Sequence, residues 1–179
     1  IYAYALTDAI VADNEISGPG ILVEGTTLEH YHILVTGNIV NGGEILYLKD
    51  DSNAMIYGEI YRQIYLVNCT MVTVSSAVFY GMVVGVSVAY STNVTISNSM
   101  FNNTTDYGIV AKYSTNVTVD GCSISDGKQT AIDITSCTNV EVRGCTVHDC
   151  DSPLNVDSGH DGLFVGNNFY DNSLSVVVT

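Results

Sequence analysis

The sequence is poor in positive charge: Lys and Arg together number 5 in 179 residues, against 19 Asp and Glu, for a formal net charge of -14. The basic footprint that nucleic acid or an anionic membrane surface requires is missing, so neither is expected as a partner. No run of about 18 consecutive apolar residues occurs, so no segment is expected to insert into a membrane. Cysteine appears 5 times, an odd number, and never as Cys-x-x-Cys, which removes a disulfide framework and the commonest thiolate metal pair. The chain opens at Ile1 with no initiator Met and no basic segment leading into an apolar core. The expectation is an extracellular or cell-surface chain whose signal has been removed, or an excised fragment. Charged residues make up only 13% and hydrophobic ones 46%, enough apolar surface to offset the entropy of ordering, so the chain should fold.

What the sequence does contain is a repeat. Thr92-Asn93-Val94-Thr95-Ile96 returns as Thr115-Asn116-Val117-Thr118-Val119 and again as Thr138-Asn139-Val140-Glu141-Val142. Thr70-Met71-Val72-Thr73-Val74 precedes the first copy, and Asp161-Gly162-Leu163-Phe164-Val165 follows the last. A fixed period of this size, about 22 to 23 residues, denotes a solenoid of stacked units. Within a unit, apolar residues alternate with polar ones (Val94 and Ile96, Val117 and Val119, Val140 and Val142, Leu163 and Val165), which puts the apolar pair inside. A small or polar corner follows, then one further inward residue (Phe101, Ile124, Val147, Tyr170). A third inward pair completes the unit: Val86 and Val88, Ile109 and Ala111, Ile132 and Ile134, with Leu154 and Val156 one residue out of step.

Three short strands per unit cannot bury their apolar faces alone, whereas stacking buries them and pairs every backbone group along the axis. The expected fold is therefore all-β, a parallel β-helix with three strands per coil. Its regular coils occupy 70–179 and degenerate ones 21–69, where Val35-Thr36-Gly37-Asn38-Ile39 matches Ile56-Tyr57-Gly58-Glu59-Ile60. Residues 1–20 read as an N-terminal cap or assembly segment, in which periodicity does not separate helix from strand. Units such as Ser91 to Tyr113 and Thr138 to Cys150 resemble the repeats of the right-handed parallel β-helix superfamily. That group includes pectate lyases, polygalacturonases, viral tailspikes and many bacterial and archaeal surface proteins, so the resemblance implies a fold and leaves the activity open.

Stacking should turn equivalent residues into ladders: Tyr90 over Tyr113, Thr92 over Thr115 over Thr138, Asn93 over Asn116 over Asn139. The Thr and Asn columns read as corner ladders, with a flat face of ice-binding or polysaccharide-binding type as the alternative. Asn-x-Ser/Thr sequons at Asn68, Asn93, Asn102, Asn103 and Asn116 point to glycosylation of a secreted protein. Cys122 and Cys145 stack one unit apart and read as small buried hydrophobes; a local bridge from Cys145 to Cys150 is the alternative.

Chemistry-bearing residues are densest from His148 to Asp161. If this region is a site, Asp149, Asp151, Asp157 and His160 carry it, with Arg143 as the nearby base; solvated corner residues are the competing reading. Polygalacturonases carry Asn-Thr-Asp, Asp-Asp, Gly-His-Gly and Arg-Ile-Lys in that order. Here Asp50-Asp51 and Gly159-His160-Asp161 stand alone, which counts against hydrolysis. A net charge of -14 is equally unsuited to an anionic uronic polymer. His30 and His32 would share a face if extended, but packed or solvated histidines are the commoner case. No cofactor is expected; calcium is the cation that an acidic surface would suit. The functional expectation is a structural surface protein, a filament, stalk, layer or adhesin subunit. Its partner would be another copy or a neighbouring β-helix domain. The alternative is a carbohydrate-binding or carbohydrate-active β-helix with polysaccharide as its partner.

Overall fold

The computed structural model describes residues 1–57 and 60–179. Three parallel sheets run along the axis of a solenoid. The first is built from Met55–Tyr57, Thr70–Ser75, Thr92–Ser97, Thr115–Asp120, Thr138–Arg143 and His160–Val165. The second holds Val78–Tyr80, Met100–Asn102, Ser123–Ser125, Thr146–His148 and Asn168–Tyr170. The third continues through Gly43–Lys49, Tyr61–Val67, Val84–Ala89, Tyr107–Lys112, Thr130–Thr135, Ser152–Asp157 and Val177–Val178. The architecture is the right-handed parallel β-helix expected from the repeat.

The alternation rule accounts for the core. Val72 and Val74, Val94 and Ile96, Val117 and Val119 and Val140 and Val142 are buried from the first sheet, and Phe79, Phe101, Ile124 and Val147 from the second. Ile64 and Leu66, Val86 and Val88, Ile109 and Ala111, Ile132 and Ile134 and Leu154 and Val156 complete it from the third. Phe79 and Phe101 stack at 4.8 Å.

Two expectations change. The last unit is shifted by one residue: Val140 pairs with Gly162 and Val142 with Phe164, while Val147 pairs with Phe169. Phe164 and Phe169 therefore pack on the core, and Leu163 and Val165 point to solvent at 54% and 50% exposure, with Tyr170 exposed as well. The cause is a corner one residue shorter. Gly127 and Thr130 are separated by Lys128 and Gln129, but Cys150 and Ser152 only by Asp151. That same shortening brings Leu154 and Val156 into register with Ile132 and Ile134.

The second change is at the start of the chain: degenerate coils are expected from residue 21, whereas the parallel stacking of the third sheet on Tyr61–Val67 starts at Gly43–Lys49 and Leu22–Glu24 pairs apart from it. Residues 1–16 contain no helix. Tyr2–Tyr4 pairs with Leu22–Glu24, Ile10–Ala12 with Leu34–Thr36, and Glu15–Ile16 with Ile39–Val40, all parallel. Ile39–Val40 then turns back antiparallel on Gly43–Lys49, which leaves Glu15–Ile16 as the last strand of the third sheet. Leu22–Glu24 lies outside the solenoid, across the outer side of the third sheet, because its partners come from successive coils. Gln63 Oε1 accepts the Ile21 N–H at 2.8 Å, Gln63 Nε2 donates to Ile21 O and Val84 O, and the Tyr65 hydroxyl donates to Ile21 O. Further along, Lys112 Nζ meets Glu24 Oε1 at 2.7 Å. This crossing buries the outward residues Tyr65, Val67, Ala89 and Val110 in a second core with Ile21, Val23 and Tyr31. The match expected between 35–39 and 56–60 falls partly on Gly58 and Glu59, outside the described residues.

Candidate functional site

The corners come first, because they hold most residues flagged in the sequence. Asn116 Nδ2 donates to Asn93 Oδ1 at 2.8 Å and Asn139 Nδ2 to Asn116 Oδ1 at 3.0 Å, with all three residues at positive φ. Tyr90 stacks on Tyr113 at 4.9 Å. These columns are ladders. Asn68 Nδ2 is likewise bonded to Asp50 Oδ1, and Asn102 Nδ2 to Ser125 Oγ and Asp126 Oδ2; Asn103 is a corner residue at positive φ.

The cysteines are corner residues too, all free and buried. Cys137 occupies the column of Ser91 and Ser114, and its sulfur receives the Ser114 N–H as Ser114 Oγ receives that of Ser91. Cys150 Sγ receives the Gly127 N–H in the same way. Each thiol stands where a serine, threonine or asparagine serves elsewhere.

Of the residues flagged late in the chain, His148 Nδ1 and Asp149 Oδ2 are 2.7 Å apart, and the His148 ring stacks on Tyr170 at 4.9 Å. Asp157 accepts from Ser158 Oγ at 2.9 Å and begins the next corner, where His160 opens a strand of the first sheet. The whole strand Ser152–Asp157 lies between, so Asp149 and Asp151 stand about 20 Å from Asp157 and His160. Arg143 is on the outer side of the first sheet, bridged to Asp120 and Glu141 at 3.1 Å each. The set does not converge on one point. His30 and His32 belong to a 3-10 turn and its end, with His30 Nδ1 accepting the Thr26 N–H.

Convergence occurs elsewhere, where the Leu22–Glu24 strand meets the third sheet. A cleft of about 480 Å³ is lined by Tyr2, Glu24, Asp106, Tyr107 and Gln129 together with apolar residues of both layers. Glu24 is fixed by the Tyr2 hydroxyl at 3.2 Å and by Lys112 at 2.7 Å. Lys112 Nζ also stands 5.7 Å from the centre of the Tyr107 ring. Asp106 accepts from Gln129 Nε2 at 3.3 Å, and burial, then the charge of Glu24, holds its carboxyl above the ordinary value. Burial and the carboxylates of Glu24, Asp133 and Asp106 push the Tyr107 hydroxyl up to about 12. Beyond the cleft the outer side of the third sheet continues with Asp133, buried and bonded to Asn155 Nδ2 at 2.7 Å, and with Asp157, before the last strand Val177–Val178. Asp151 stands one coil past Gln129, about 10 Å along the axis from Asp106. Two of the four flagged residues, Asp151 and Asp157, thus border this face at its far end. Asp106, Tyr107, Glu24 and Gln129 were not legible in sequence, because Glu24 and Asp106 come from distant segments joined only by the lateral strand. The one local signal is Tyr107, a large ring in a column otherwise filled by Val84, Thr130 and Ser152.

Fold and face together define a class: a right-handed parallel β-helix with a polar, aromatic-lined cleft on the outer side of one sheet. The family model described as periplasmic copper-binding protein (NosD) matches residues 1–179, and the chain belongs to the NosD family. Among solved structures it is similar to a Parabacteroides merdae chain assigned to the glycosyl hydrolases, at 16% identity and a TM-score of 0.58, covering 72% of this chain and 82% of that one. It is also similar to the A-module of a mannuronan C-5 epimerase of Azotobacter vinelandii, at 13% identity and a TM-score of 0.31, covering 98% of this chain and 58% of that one. No curated protein matches it.

Copper requires imidazole, thiolate or thioether donors that converge. Among the described residues, no three His, Cys, Asp or Glu side chains are placed to share a metal ion, whether copper or calcium. Four of the five thiols are also held toward the protonated form, while Cys145, receiving the hydrogen bond of Cys122, is lowered. Burial raises those of Cys69, Cys137 and Cys150, and a hydrogen bond to Cys145 followed by burial raises that of Cys122, whereas a thiolate is the ligand. The described residues do not fit copper.

Proposed function

We propose that this chain is an extracytoplasmic β-helix protein that binds a saccharide along the outer side of its third sheet, starting from the cleft beneath Leu22–Glu24. One observation carries the reading: in a preformed cleft, the Tyr2 and Tyr107 rings stand beside the hydrogen-bonding groups of Glu24, Asp106 and Gln129. Sugars offer apolar ring faces and a rim of hydroxyls, and sites that combine aromatic bodies with a few fixed polar groups suit both. The face beyond the cleft supplies Thr135 and Asn155 for further sugar units, with Asp133 buried behind them and bonded to both. The glycosyl hydrolase assignment of the Parabacteroides merdae chain agrees with a saccharide ligand, and the periplasmic description of the family agrees with an extracytoplasmic location.

Binding fits the geometry better than hydrolysis. Glycoside cleavage uses two carboxyl groups free to exchange protons. Glu24 is held by Lys112 and Tyr2, and Asp133 by Asn155, which leaves Asp106 as the one loosely held carboxyl of the cleft. A glycan array tests the proposal. We expect at least one saccharide class to bind, with affinity reduced about tenfold or more in Tyr107→Ala, the loss of one stacked ring. An array without a positive class would overturn it.

Assembly is a second reading, favoured by the exposed apolar residues of the last coil, Leu163, Val165, Leu174 and Val178. Sedimentation of a concentration-independent monomer would count against it.

A further inference from the structure

The charges around the cleft are unequal. Glu24 and Asp106 line it, Asp133 stands on the adjoining strand, and Asp151 borders it one coil beyond Gln129. Against these stand Lys112, whose charge is taken up by Glu24 at 2.7 Å, and the Ile1 ammonium at the rim, which donates to Gly20 O at 2.9 Å. Lys128, on the loop before Gln129, is exposed to solvent. Among the described residues Asp106 has no cationic partner; its side chain receives Gln129 Nε2 at 3.3 Å and the Thr105 side chain. A partly buried carboxylate with neutral donors alone is under-compensated, and a ligand cation would supply what the protein does not. The Tyr107 ring, already facing Lys112 Nζ at 5.7 Å, has a face that attracts positive charge. A uronate would meet repulsion from every carboxylate of the face, and a neutral sugar would leave Asp106 unmatched.

We infer that the saccharide is a cationic amino sugar, bearing a free ammonium group seated between the Asp106 carboxylate and the Tyr107 ring. This rests on the saccharide reading of the same cleft and adds the charge class of the ligand. Glucosamine oligomers, their N-acetylated counterparts and oligogalacturonates present similar ring sizes with positive, neutral and negative charge, and so separate the terms.

Calorimetric titration of the intact chain with short oligomers of each kind, at about 0.15 M salt to screen long-range attraction, is the test. The glucosamine oligomer should bind at least about tenfold more tightly than the acetylated one, and the galacturonate not measurably. Asp106→Asn should reduce that preference to about twofold or less. Gln129→Lys, a change at an exposed position that leaves the core untouched, should abolish glucosamine binding even if Asp106→Asn folds poorly. Asp171→Asn removes the same formal charge at a corner of the second sheet and should change nothing. Equal affinity for the acetylated and free-amine oligomers would overturn the inference while leaving saccharide binding intact. Equal losses in Asp171→Asn and Asp106→Asn would also overturn it, by showing attraction to overall charge. If no oligomer of any charge binds, the saccharide reading falls with it.

Discussion

At the residue scale, the corners decide whether the coil closes. Each regular coil places four residues in the left-handed region, shown by the columns Asn68, Tyr90, Tyr113, Ser136; Met71, Asn93, Asn116, Asn139; Ser76, Asn98, Gly121, Gly144; and Gly81, Asn103, Asp126, Asp149. Only glycine adopts this conformation freely, and Asn and Asp tolerate it best among the rest. Asn116 has a second role, since its amide joins Asn93 below and Asn139 above. Asn116→Val would put a β-branched residue at φ 56 and break both bonds. We expect a loss of about 2 to 4 kcal/mol in urea unfolding, and less than about 1.5 kcal/mol for Asn116→Gly, which keeps the backbone relaxed. Equal losses would show that the ladder, not the backbone, sets the cost. These columns were legible in sequence, because Thr-Asn recurs at a constant interval and stacking follows from the interval alone. The stand-in role of the cysteines was not. Nothing in the sequence says that Cys137 continues a serine column until Ser114 is seen to donate its N–H to that sulfur.

At the scale of elements, the Leu22–Glu24 strand is the departure that creates the candidate site. In sequence it is another short apolar run between turns, indistinguishable from a coil strand. What lifts it out of the stack is side-chain chemistry on the sheet below: Gln63, fully buried, spends its amide on Ile21 and Val84, and Tyr65 adds its hydroxyl. A Cβ on Gly20 would come within 2.0 Å of Gln63 Oε1, so only glycine lets the chain pass this close. Burial under the strand raises Tyr31, Tyr47 and Tyr65 far above the ordinary tyrosine value, and Tyr107 to about 12. In the unfolded chain these phenols titrate near 10. Between that value and the folded values the unfolded state has released protons that the native state retains, so stability is fully present below about pH 10 and falls as pH rises further. Melting temperature should stay flat up to about pH 9.5 and drop above it. Absorbance at alkaline pH should show these four phenols ionising only as the fold is lost. Reversible ionisation of all 12 tyrosines in the folded protein would contradict the lateral strand.

At the scale of the molecule, the solenoid follows from period and alternation, and one shortened corner explains both irregularities of the last coil, the shift to Phe164 and the apparent displacement of Leu154. The site was less legible than the fold for a physical reason. A coil repeats its contacts locally, and repetition can be read from the sequence, whereas the cleft depends on a single non-repeating crossing between residue 24 and residues 106 to 129. The central claim is that a saccharide lies on the outer side of the third sheet. The most direct measurement is a crystal structure of the chain with a bound oligosaccharide. It should show one sugar ring against Tyr107 and within hydrogen-bond distance of Asp106, with later units passing Thr135 and Asn155. Sugar density on the first sheet, over Thr95 and Thr118, with the cleft beneath Leu22–Glu24 unengaged, would contradict the account.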